Sequence, residues 1–290
     1  MRNFILFNPL SGNGSCKQKM EALVMDKAAQ TVCYDVTTDG AYSDLLSDLK
    51  QDDKIIICGG DGTLNSFVNG IRGLEINNDI LYFAAGSGND FFKDIGEKPS
   101  YNPIRINDYI KDLPMLYANG KSYSFINGIG FGLDGYACEE CNRLRNEKGK
   151  NVSYAAVALK GLLGGYTPVN ATVVVDGNEY TYKRVWLASC MKGSFFGGGL
   201  KIAPGQERKS EKGEVTSILV HNLSRFRILS VFPSLFKGTH IKYTQFVDMK
   251  KCSEVTVKFD RPVALQIDGE TVSKVTEYTV KIPKEVRVQN

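Results

Sequence analysis

The sequence has little of several features that mark particular classes of protein. It contains no apolar run of the roughly 18 residues that a membrane-spanning helix needs. Its first apolar stretch reaches Asn8-Pro9 too soon for a signal peptide. Only Cys138 and Cys141 of the seven cysteines stand close together, which excludes a disulfide framework and fits free thiols in a reducing cytoplasm. Without a second pair at suitable spacing, these two are expected on successive turns of a helix rather than around zinc.

The sequence also has few histidines and a small net charge. The two histidines, His221 and His240, do not lie near a Gly-x-Ser-x-Gly pattern, which argues against a Ser-His-Asp hydrolase. Thirty-six Lys and Arg residues against 32 Asp and Glu residues give a net charge of +4. That excess is too small to indicate a nucleic-acid-binding protein. The length of 290 residues, with 42% hydrophobic residues, predicts a globular protein of two domains or one large domain.

The first 110 residues alternate between short apolar runs and segments with helical spacing. Strands are expected at 3–7, 31–36, 54–58 and 80–84. Helices are expected at 16–30, 41–50, 62–71 and 90–95. This rhythm predicts βαβ units and a parallel sheet covered on both faces, and therefore an α/β domain over residues 1–112.

Residues 113–290 follow a different pattern. Hairpin turns are predicted at Asn119-Gly120 and Asp176-Gly177. Strands are expected around these turns and at 215–220, 241–247, 254–259, 263–267 and 277–282, with helices at 134–147 and 152–163. The second domain is therefore predicted to be mainly antiparallel and rich in β structure.

Three glycine-containing loops follow predicted parallel strands, at 7–14, 58–65 and 85–90. Each such loop alone is best explained as a tight turn between a strand and a helix. Together they would lie at the carboxyl edge of one sheet, where backbone N–H groups and helix N-termini bind phosphate. Asp61 and Asp90, in two of these loops, suit a magnesium-linked phosphate network. The Walker A pattern is absent. The dinucleotide Gly-x-Gly-x-x-Gly pattern is also missing, which disfavours a dehydrogenase.

The motif Gly59-Gly-Asp-Gly-Thr63, with Asn-Pro-x-Ser-Gly upstream and Gly-Ser-Gly-Asn-Asp downstream, resembles the diacylglycerol kinase catalytic-domain family. This family includes soluble bacterial lipid kinases and the sphingosine and ceramide kinases. NAD kinases and phosphofructokinases carry a relative of the first motif, but the third loop and Asp268-Gly-Glu270 separate the lipid kinases from them. The resemblance extends from residue 5 to about 282. It implies a nucleotide-binding α/β domain followed by a lipid-binding β-sandwich domain, with ATP and Mg²⁺ as cofactors.

The resemblance also implies roles for individual residues. ATP contacts are implied at Asn8, Pro9, Ser11, Gly12, Thr38, Gly59, Gly60, Gly62, Thr63, Asn65, Ser87 and Asn89. Thr37 is nearly as good a candidate as Thr38, and Ser87 stands where the family usually has Thr, which keeps the hydroxyl.

The implied catalytic groups are carboxylates. Asp61, Asp90 and Asp112 would form the acidic network that positions Mg²⁺, with Asp61 near the metal-bound end of ATP. Asp134 competes with Asp112 for the third place. Glu270 would be the general base that accepts the proton of the lipid hydroxyl.

One departure from the family pattern concerns a structural metal. Bacterial members often carry an Asp-Gly pair after a Gly-Gly-Gly-x-x-x-x-Pro segment, and that Asp binds magnesium. Lys212 stands in its place here. A cation cannot ligate a cation, so we expect this metal site to be absent, with the Lys212 ammonium substituting for the ion.

The segment 224–237 could form a helix with an apolar stripe of Phe226, Leu229, Phe232 and Phe236 beside basic residues. It fits a helix at an anionic membrane surface or one packed on the β domain. The expected protein is a cytoplasmic lipid kinase, peripheral at the inner face of the membrane, that converts diacylglycerol to phosphatidic acid. A relative of NAD kinase and a regulator without chemistry are the alternatives. An exposed β edge in the second domain would permit a homodimer, and no nucleic acid is expected as a partner.

Overall fold

The computed structural model describes residues 1–25, 30–98, 102–148, 152–210 and 213–283. The chain divides into two compact units. The first ends at Lys111 and the second begins at Asp112. None of the helices in the described ranges is both long and apolar enough to cross a membrane.

The first unit is built on one sheet. Its strands are β1 (Asn3–Phe7), β2 (Thr31–Asp35), β3 (Lys54–Gly59), β4 (Ile80–Ala84) and β5 (Ile104–Arg105), in the spatial order β2-β1-β3-β4-β5. The first four strands run parallel, and β5 pairs antiparallel with β4. Strand β3 is buried along nearly its whole length, as expected for a parallel strand covered on both faces.

Helices and turns connect these strands. The helices of the first unit are α1 (Cys16–Met25), α2 (Ala41–Asp48), α3 (Asp61–Gly70), α4 (Asp90–Asp94) and α5 (Asn107–Ile110). A short 3₁₀ turn at Ser11–Gly14 precedes α1. The predicted parallel α/β architecture is confirmed, and it brings the ends of β1, β3 and β4 to one edge of the sheet.

The second unit is mainly antiparallel, as predicted. Its strands are β6 (Met115–Ala118), β7 (Lys121–Ser124), β8 (Gly128–Gly132), β9 (Val169–Val175), β10 (Asn178–Val185), β11 (Leu187–Met191), β12 (Val215–Val220), β13 (Val247–Cys252), β14 (Glu254–Ile267) and β15 (Glu270–Lys281). They follow the order β13-β12-β11-β8-β14-β15-β6-β7, and β9 joins β10 to β14. The helices are α6 (Leu133–Lys148), α7 (Tyr154–Lys160) and α8 (Arg225–Lys237).

Two apolar clusters form the core of the second unit. One contains the stacked rings of Phe131 and Phe259, whose centroids are 3.9 Å apart. The other contains Trp186 together with Ile228 and Leu235 of α8. Helix α8 is therefore amphipathic, because one side packs into the core and the other faces solvent.

The predicted strand at 241–247 is wrong. Residues His240–Lys242 form a 3₁₀ turn, and β13 begins only at Val247. The His240 side chain is fully buried, with its ring nitrogen 2.9 Å from the Ile202 carbonyl oxygen. This tertiary contact overrides the local β propensity. The strands predicted at 254–259 and 263–267 are one strand, β14, with register shifts between its halves.

Candidate functional site

The three predicted phosphate loops of the first unit touch one another. The hydroxyl oxygens of Ser11 and Thr63 are 3.2 Å apart. A Cβ atom added at Gly12 would lie 2.2 Å from the Ala85 carbonyl oxygen. The Ala85 amide donates to the Gly59 carbonyl at 2.8 Å. The ends of β1, β3 and β4 thus form one continuous backbone surface.

Glycine allows two of these loops to pack backbone against backbone. A Cβ atom added at Gly86 would lie 2.4 Å from the Gly60 Cα atom, so no larger residue fits there without a shift. Gly62 differs, because a Cβ atom at that position would meet nothing within 4 Å. The loops are therefore close-packed where Gly60 meets Gly86. They are open beside Gly62, at the first turn of α3. This arrangement fits a phosphate group approached by backbone amides at a helix N-terminus.

Asp61 links the first turns of two helices. Its carboxylate accepts hydrogen bonds from the Asp90 amide at 2.9 Å and the Phe91 amide at 3.0 Å. The Asp90 side chain is 4% exposed. Both carboxylates therefore lie where the helix dipoles favour negative charge.

These carboxylates suit a metal ion that keeps part of its water shell better than one that is coordinated by protein groups alone. The Asp61 carboxylate already accepts hydrogen bonds from two amides. Mg²⁺ commonly keeps several water ligands and binds only one or two protein carboxylates. No group of three potential metal ligands encloses a common point among the described residues.

The Asn8 side chain orders the loop after β1, because its Oδ1 atom accepts from the Leu10 amide at 3.0 Å. The sequence left Thr37 and Thr38 as alternatives in the loop after β2. The Thr37 hydroxyl donates to the Asp35 carboxylate at 2.6 Å, whereas Thr38 is exposed and its hydroxyl has no partner within the described ranges. The two threonines thus differ in their hydrogen bonding, and the ATP contact of Thr38 stays a prediction.

Asn89 closes the loop after β4. It adopts a left-handed conformation with φ of 50°, and its Nδ2 atom donates to the Gly86 carbonyl at 3.0 Å. Its Oδ1 atom is buried and accepts no hydrogen bond within the part of the chain that the structure describes. An unsatisfied buried acceptor is costly, so a ligand donor would be stabilising there. Ser87, in the same loop, is exposed, and Asn65 of α3 is buried.

In the second unit, Asp268 and Gly269 form the two-residue turn between β14 and β15, with φ of 46° and 97°. The Asp268 carboxylate accepts from the amides of Ile126, Asn127 and Gly128 at 2.5, 2.9 and 2.9 Å. Glu270, the first residue of β15, is exposed. The turn is thus anchored by Asp268, and the neighbouring Glu270 carboxylate faces solvent.

Asp134, at the start of α6, occupies a different environment. It is 2% exposed, and its Oδ2 atom accepts from the Gln266 side chain at 2.8 Å. Its Oδ1 atom has no partner among the described residues. Burial raises the Asp134 pKa to about 7, against the lowering effect of Gln266. A hydrated metal ion does not suit this dry position. Asp112 is exposed and has a left-handed φ of 55°.

An apolar cavity adjoins Asp134 in the second unit. Its volume is about 30 Å³. The wall contains residues of α7, α8 and the neighbouring sheet, among them Ala158, Trp186, Phe196, Ile202, Ile228 and Leu235. One buried carboxyl group at the edge of an apolar cavity is an arrangement typical of a site for an amphipathic ligand.

Sequence reasoning missed two buried cations in the second unit. Lys192 and Arg208 are 5% and 8% exposed. Burial lowers the Lys192 pKa, nearby Arg208 lowers it further, and Asp112 raises it. A signal was available, because Lys192 directly follows the apolar strand β11. Lys212 lies outside the described residues, so its proposed replacement of a metal ion stays a prediction.

Helix α8 packs on the second unit, which is one of the two arrangements that the sequence left open, and its contact with a membrane stays a prediction. Ile228, Val231 and Leu235 are buried, whereas the Phe226 side chain is 87% exposed. The Arg225 guanidinium donates to the Leu162 and Tyr166 carbonyls at 3.0 and 2.9 Å. This arginine therefore binds its own unit, while Phe226 faces solvent.

Comparison with known proteins agrees with the division of the chain into two units. Residues 2–111 match the family described as the diacylglycerol kinase catalytic domain. Residues 127–290 match the YegS C-terminal NAD kinase beta sandwich-like domain, which by itself covers more than half of the chain.

Whole-chain relatives cover both units. The diacylglycerol kinase of Mycobacterium tuberculosis is 25% identical over 294 residues, covering 97% of this chain and 90% of that protein. The diacylglycerol kinase of Bacillus subtilis is 26% identical, covering 92% and 88%. The crystal structure of a diacylglycerol kinase from Bacillus anthracis superimposes with a TM-score of 0.60 at 18% identity, covering 98% of this chain and 93% of that one. That likeness concerns the fold alone.

Proposed function

Because this chain belongs to the lipid kinase family that joins a diacylglycerol kinase catalytic domain to a YegS-type C-terminal domain, we propose that it phosphorylates a membrane lipid. ATP donates its γ-phosphoryl group, and diacylglycerol is the acceptor that becomes phosphatidic acid. The observation that carries this proposal is the contact between the three glycine loops of the first unit, which leaves open backbone beside Gly62.

Asp61, Asp90 and Asp112 are the proposed acidic residues around the nucleotide phosphates. Mg²⁺, when bound, neutralises charge on those phosphates. Asp61 orients the first turn of α4 through the amides of Asp90 and Phe91. The fully bonded carboxylate cannot rotate away, so it would hold a metal-bound water in a fixed direction.

Glu270 is the proposed general base. It accepts the proton of the lipid hydroxyl as that oxygen bonds to the γ-phosphorus, and the bond between this phosphorus and ADP breaks. Within the described residues its carboxylate accepts no hydrogen bond, while the Asp268 turn fixes its backbone. A base that is exposed and mounted on an anchored turn can receive a proton without first breaking a contact.

The apolar cavity of the second unit supports a lipid as acceptor. A volume of about 30 Å³ is too small for an acyl chain, so a chain would enter as α7 and α8 move away from the sheet. The same helical region exposes Leu163 at 65% and Phe226 at 87%, beside the basic residue Arg227. Exposed apolar side chains next to a cation suit contact with an anionic membrane surface. We propose that lipid enters at this face.

The test is transfer of label from γ-labelled ATP, with Mg²⁺, to lipids in mixed micelles. The panel contains diacylglycerol, phosphatidylglycerol, ceramide and sphingosine, with NAD as the soluble control. We expect label on diacylglycerol, and a loss of about 10²- to 10⁴-fold in kcat for Glu270→Gln. Glu277→Gln, an exposed glutamate further along β15, is the matched control and should keep full activity.

Other outcomes of this assay would contradict the proposal in different ways. Label on another lipid would change the acceptor and keep the reaction class. Label on NAD alone would identify a relative of NAD kinase. ATP binding without label on any acceptor would identify a regulator that has the fold without the chemistry.

A further inference from the structure

Lys192 is a buried residue of the second unit that carries a positive charge. Its side chain is 5% exposed, and among the described residues its ammonium group forms no hydrogen bond or ion pair. Its charged neighbours are Arg208, which has the same sign, and Asp112, which is near enough to act on it only at longer range. A cation on so buried a residue, with no acceptor among the described residues, is unfavourable for folding. A bound anionic ligand would supply the acceptor that the described part of the chain does not.

The segment Ile126–Gly128 organises this neighbourhood. The Lys192 amide donates to the Asn127 carbonyl at 2.9 Å. The Arg208 guanidinium donates to the Ile126 carbonyl at 2.5 Å and to the Asn127 side chain at 2.8 Å. On the other side, Asp268 accepts the amides of the same segment. Both cations and the Asp268 turn are therefore fixed to one short stretch of backbone.

Sheet register sets the distance between Lys192 and the proposed base. Strand β8 lies between β11 and β14, with Gly128 opposite Met191 and Ile129 opposite Ile267. Lys192 and the turn before Glu270 thus leave the same edge of the sheet, two strands apart. At about 4.8 Å between neighbouring strands, their backbones are about 10 Å apart. A phosphoryl group near the Glu270 carboxylate lies within reach of a lysine side chain at that separation.

We propose that Lys192, with the positive potential of Arg208, forms a phosphoryl-binding site in the second unit. The Lys192 ammonium donates hydrogen bonds to phosphoryl oxygens, and Arg208 stabilises their charge while holding the Ile126–Gly128 segment. The inference rests on the proposed lipid kinase function, which supplies a phosphoryl group to this neighbourhood. Two sources share this chemistry: the terminal phosphate of ATP and the phosphate of the phosphorylated lipid.

The experiment uses the full chain with Lys192→Met, which removes the charge at similar length, and Lys192→Arg, which keeps it. Lys201→Met is the matched control, because Lys201 is a half-buried lysine of the same unit that stacks on Phe195 with its ammonium 5.7 Å from the ring centroid. One arm measures binding of ATP and of ADP with Mg²⁺ by calorimetry. The other measures binding to phosphatidylcholine vesicles that contain either phosphatidic acid or diacylglycerol.

We expect Lys192→Met to weaken one preference by about tenfold to a hundredfold, the effect of one lost charge-assisted hydrogen bond. Loss of the preference for ATP over ADP identifies the nucleotide as the source. Loss of the preference for phosphatidic acid over diacylglycerol identifies the lipid. Lys192→Arg and Lys201→Met should retain both preferences. The Tm of Lys192→Met should equal or exceed that of the unmodified protein, since a desolvated charge is removed.

The inference is overturned if both preferences survive in Lys192→Met, or if the unmodified protein shows neither. It is also overturned if Lys192→Met and Asp112→Asn both lower the Tm while the preferences stay intact, because Lys192 would then be half of a structural ion pair. These results are separate from failure of the proposed function. That failure is the absence of labelled lipid from the unmodified protein, and both binding preferences can still be measured in that case.

Discussion

Asp61 in the first unit and Asp134 in the second show two ways of holding a carboxyl group. Both oxygens of Asp61 accept backbone amides of α4. Asp134 has one side-chain partner, Gln266, and an Oδ1 atom with no partner among the described residues. Main-chain groups thus hold Asp61 at a helix end, whereas one side chain holds Asp134 in apolar surroundings.

This difference determines which changes should matter in each unit. Where the backbone forms the site, an added methyl group or a lost cap should damage both fold and binding. Where a buried polar side chain has too few partners, it lowers the stability of the fold. Its removal should therefore leave the stability unchanged or raise it. Four predictions test that contrast.

The largest expected effect concerns Asp134 and pH. Its pKa is about 7 in the folded chain and 3.8 when unperturbed. Between these values the folded state holds a proton that the unfolded state has lost, so stability should fall as pH rises from about 4 to 7, by up to roughly 4 kcal/mol. Asp134→Asn should remove this slope in urea unfolding measured across that range. Glu277→Gln, an exposed control, should keep it, and parallel curves for Asp134→Asn and the unmodified protein would refute the prediction.

The next effect concerns Gly86. In Gly86→Ala the new Cβ atom would lie 2.4 Å from the Gly60 Cα atom. Backbone cannot rotate away as a flexible side chain can, so we expect a loss of about 2–3 kcal/mol in unfolding free energy and weaker ATP binding. Gly62→Ala, where the added atom meets nothing within 4 Å, should keep or slightly raise the stability. Equal stability losses for the two variants would show that the loops are not close-packed.

A smaller effect is expected at Asp61. Asp61→Ala leaves the Asp90 and Phe91 amides without their acceptor, at a cost of about 1–3 kcal/mol in unfolding free energy. Asp61→Asn keeps one acceptor and should lose less. Thermal unfolding of both variants, with the exposed Asp39→Ala as control, measures the difference. A Tm unchanged in Asp61→Ala would mean that the cap of α4 is not needed.

The smallest effect on stability is expected at Phe226. This residue is 87% exposed, so Phe226→Ser should change the unfolding free energy by less than about 0.5 kcal/mol. Binding to vesicles that contain anionic lipid should nevertheless weaken in a sedimentation assay. Leu74→Ser, which changes an apolar residue of the first unit that is 52% exposed, should bind as the unmodified protein does. Equal binding by both variants would exclude Phe226 from the proposed membrane contact.

The parts of the fold that could be predicted from sequence depend on local patterns. Apolar runs, helical spacing and glycine loops recur in the first unit, so its parallel sheet followed from short segments. Strand β8 was missed because three of its five residues are glycine, which has low strand propensity. These glycines reflect tertiary contacts, since a Cβ atom at Gly130 would lie 1.3 Å from the Asp134 Oδ2 atom.

The candidate site divides in the same way. The loops after β1, β3 and β4 could be found because each motif is continuous in sequence. The sequence offers a local signal for Lys192 alone, which follows the apolar strand β11, but it does not show that Lys192 and Arg208 converge on Asn127 from distant parts of the chain. No local pattern encodes a cluster that only strand pairing assembles.

Asp268 anchors the turn that precedes Glu270, and this arrangement has a consequence for evolution. Three amide bonds to Asp268 fix the turn, and the Glu270 side chain adds none of its own within the described residues. Selection on folding therefore acts on position 268, and under the proposed function selection on turnover acts on position 270. Under the same proposal, a lineage could lose the carboxylate at 270 in a single step and keep an intact scaffold, so descendants without kinase activity would be readily reached.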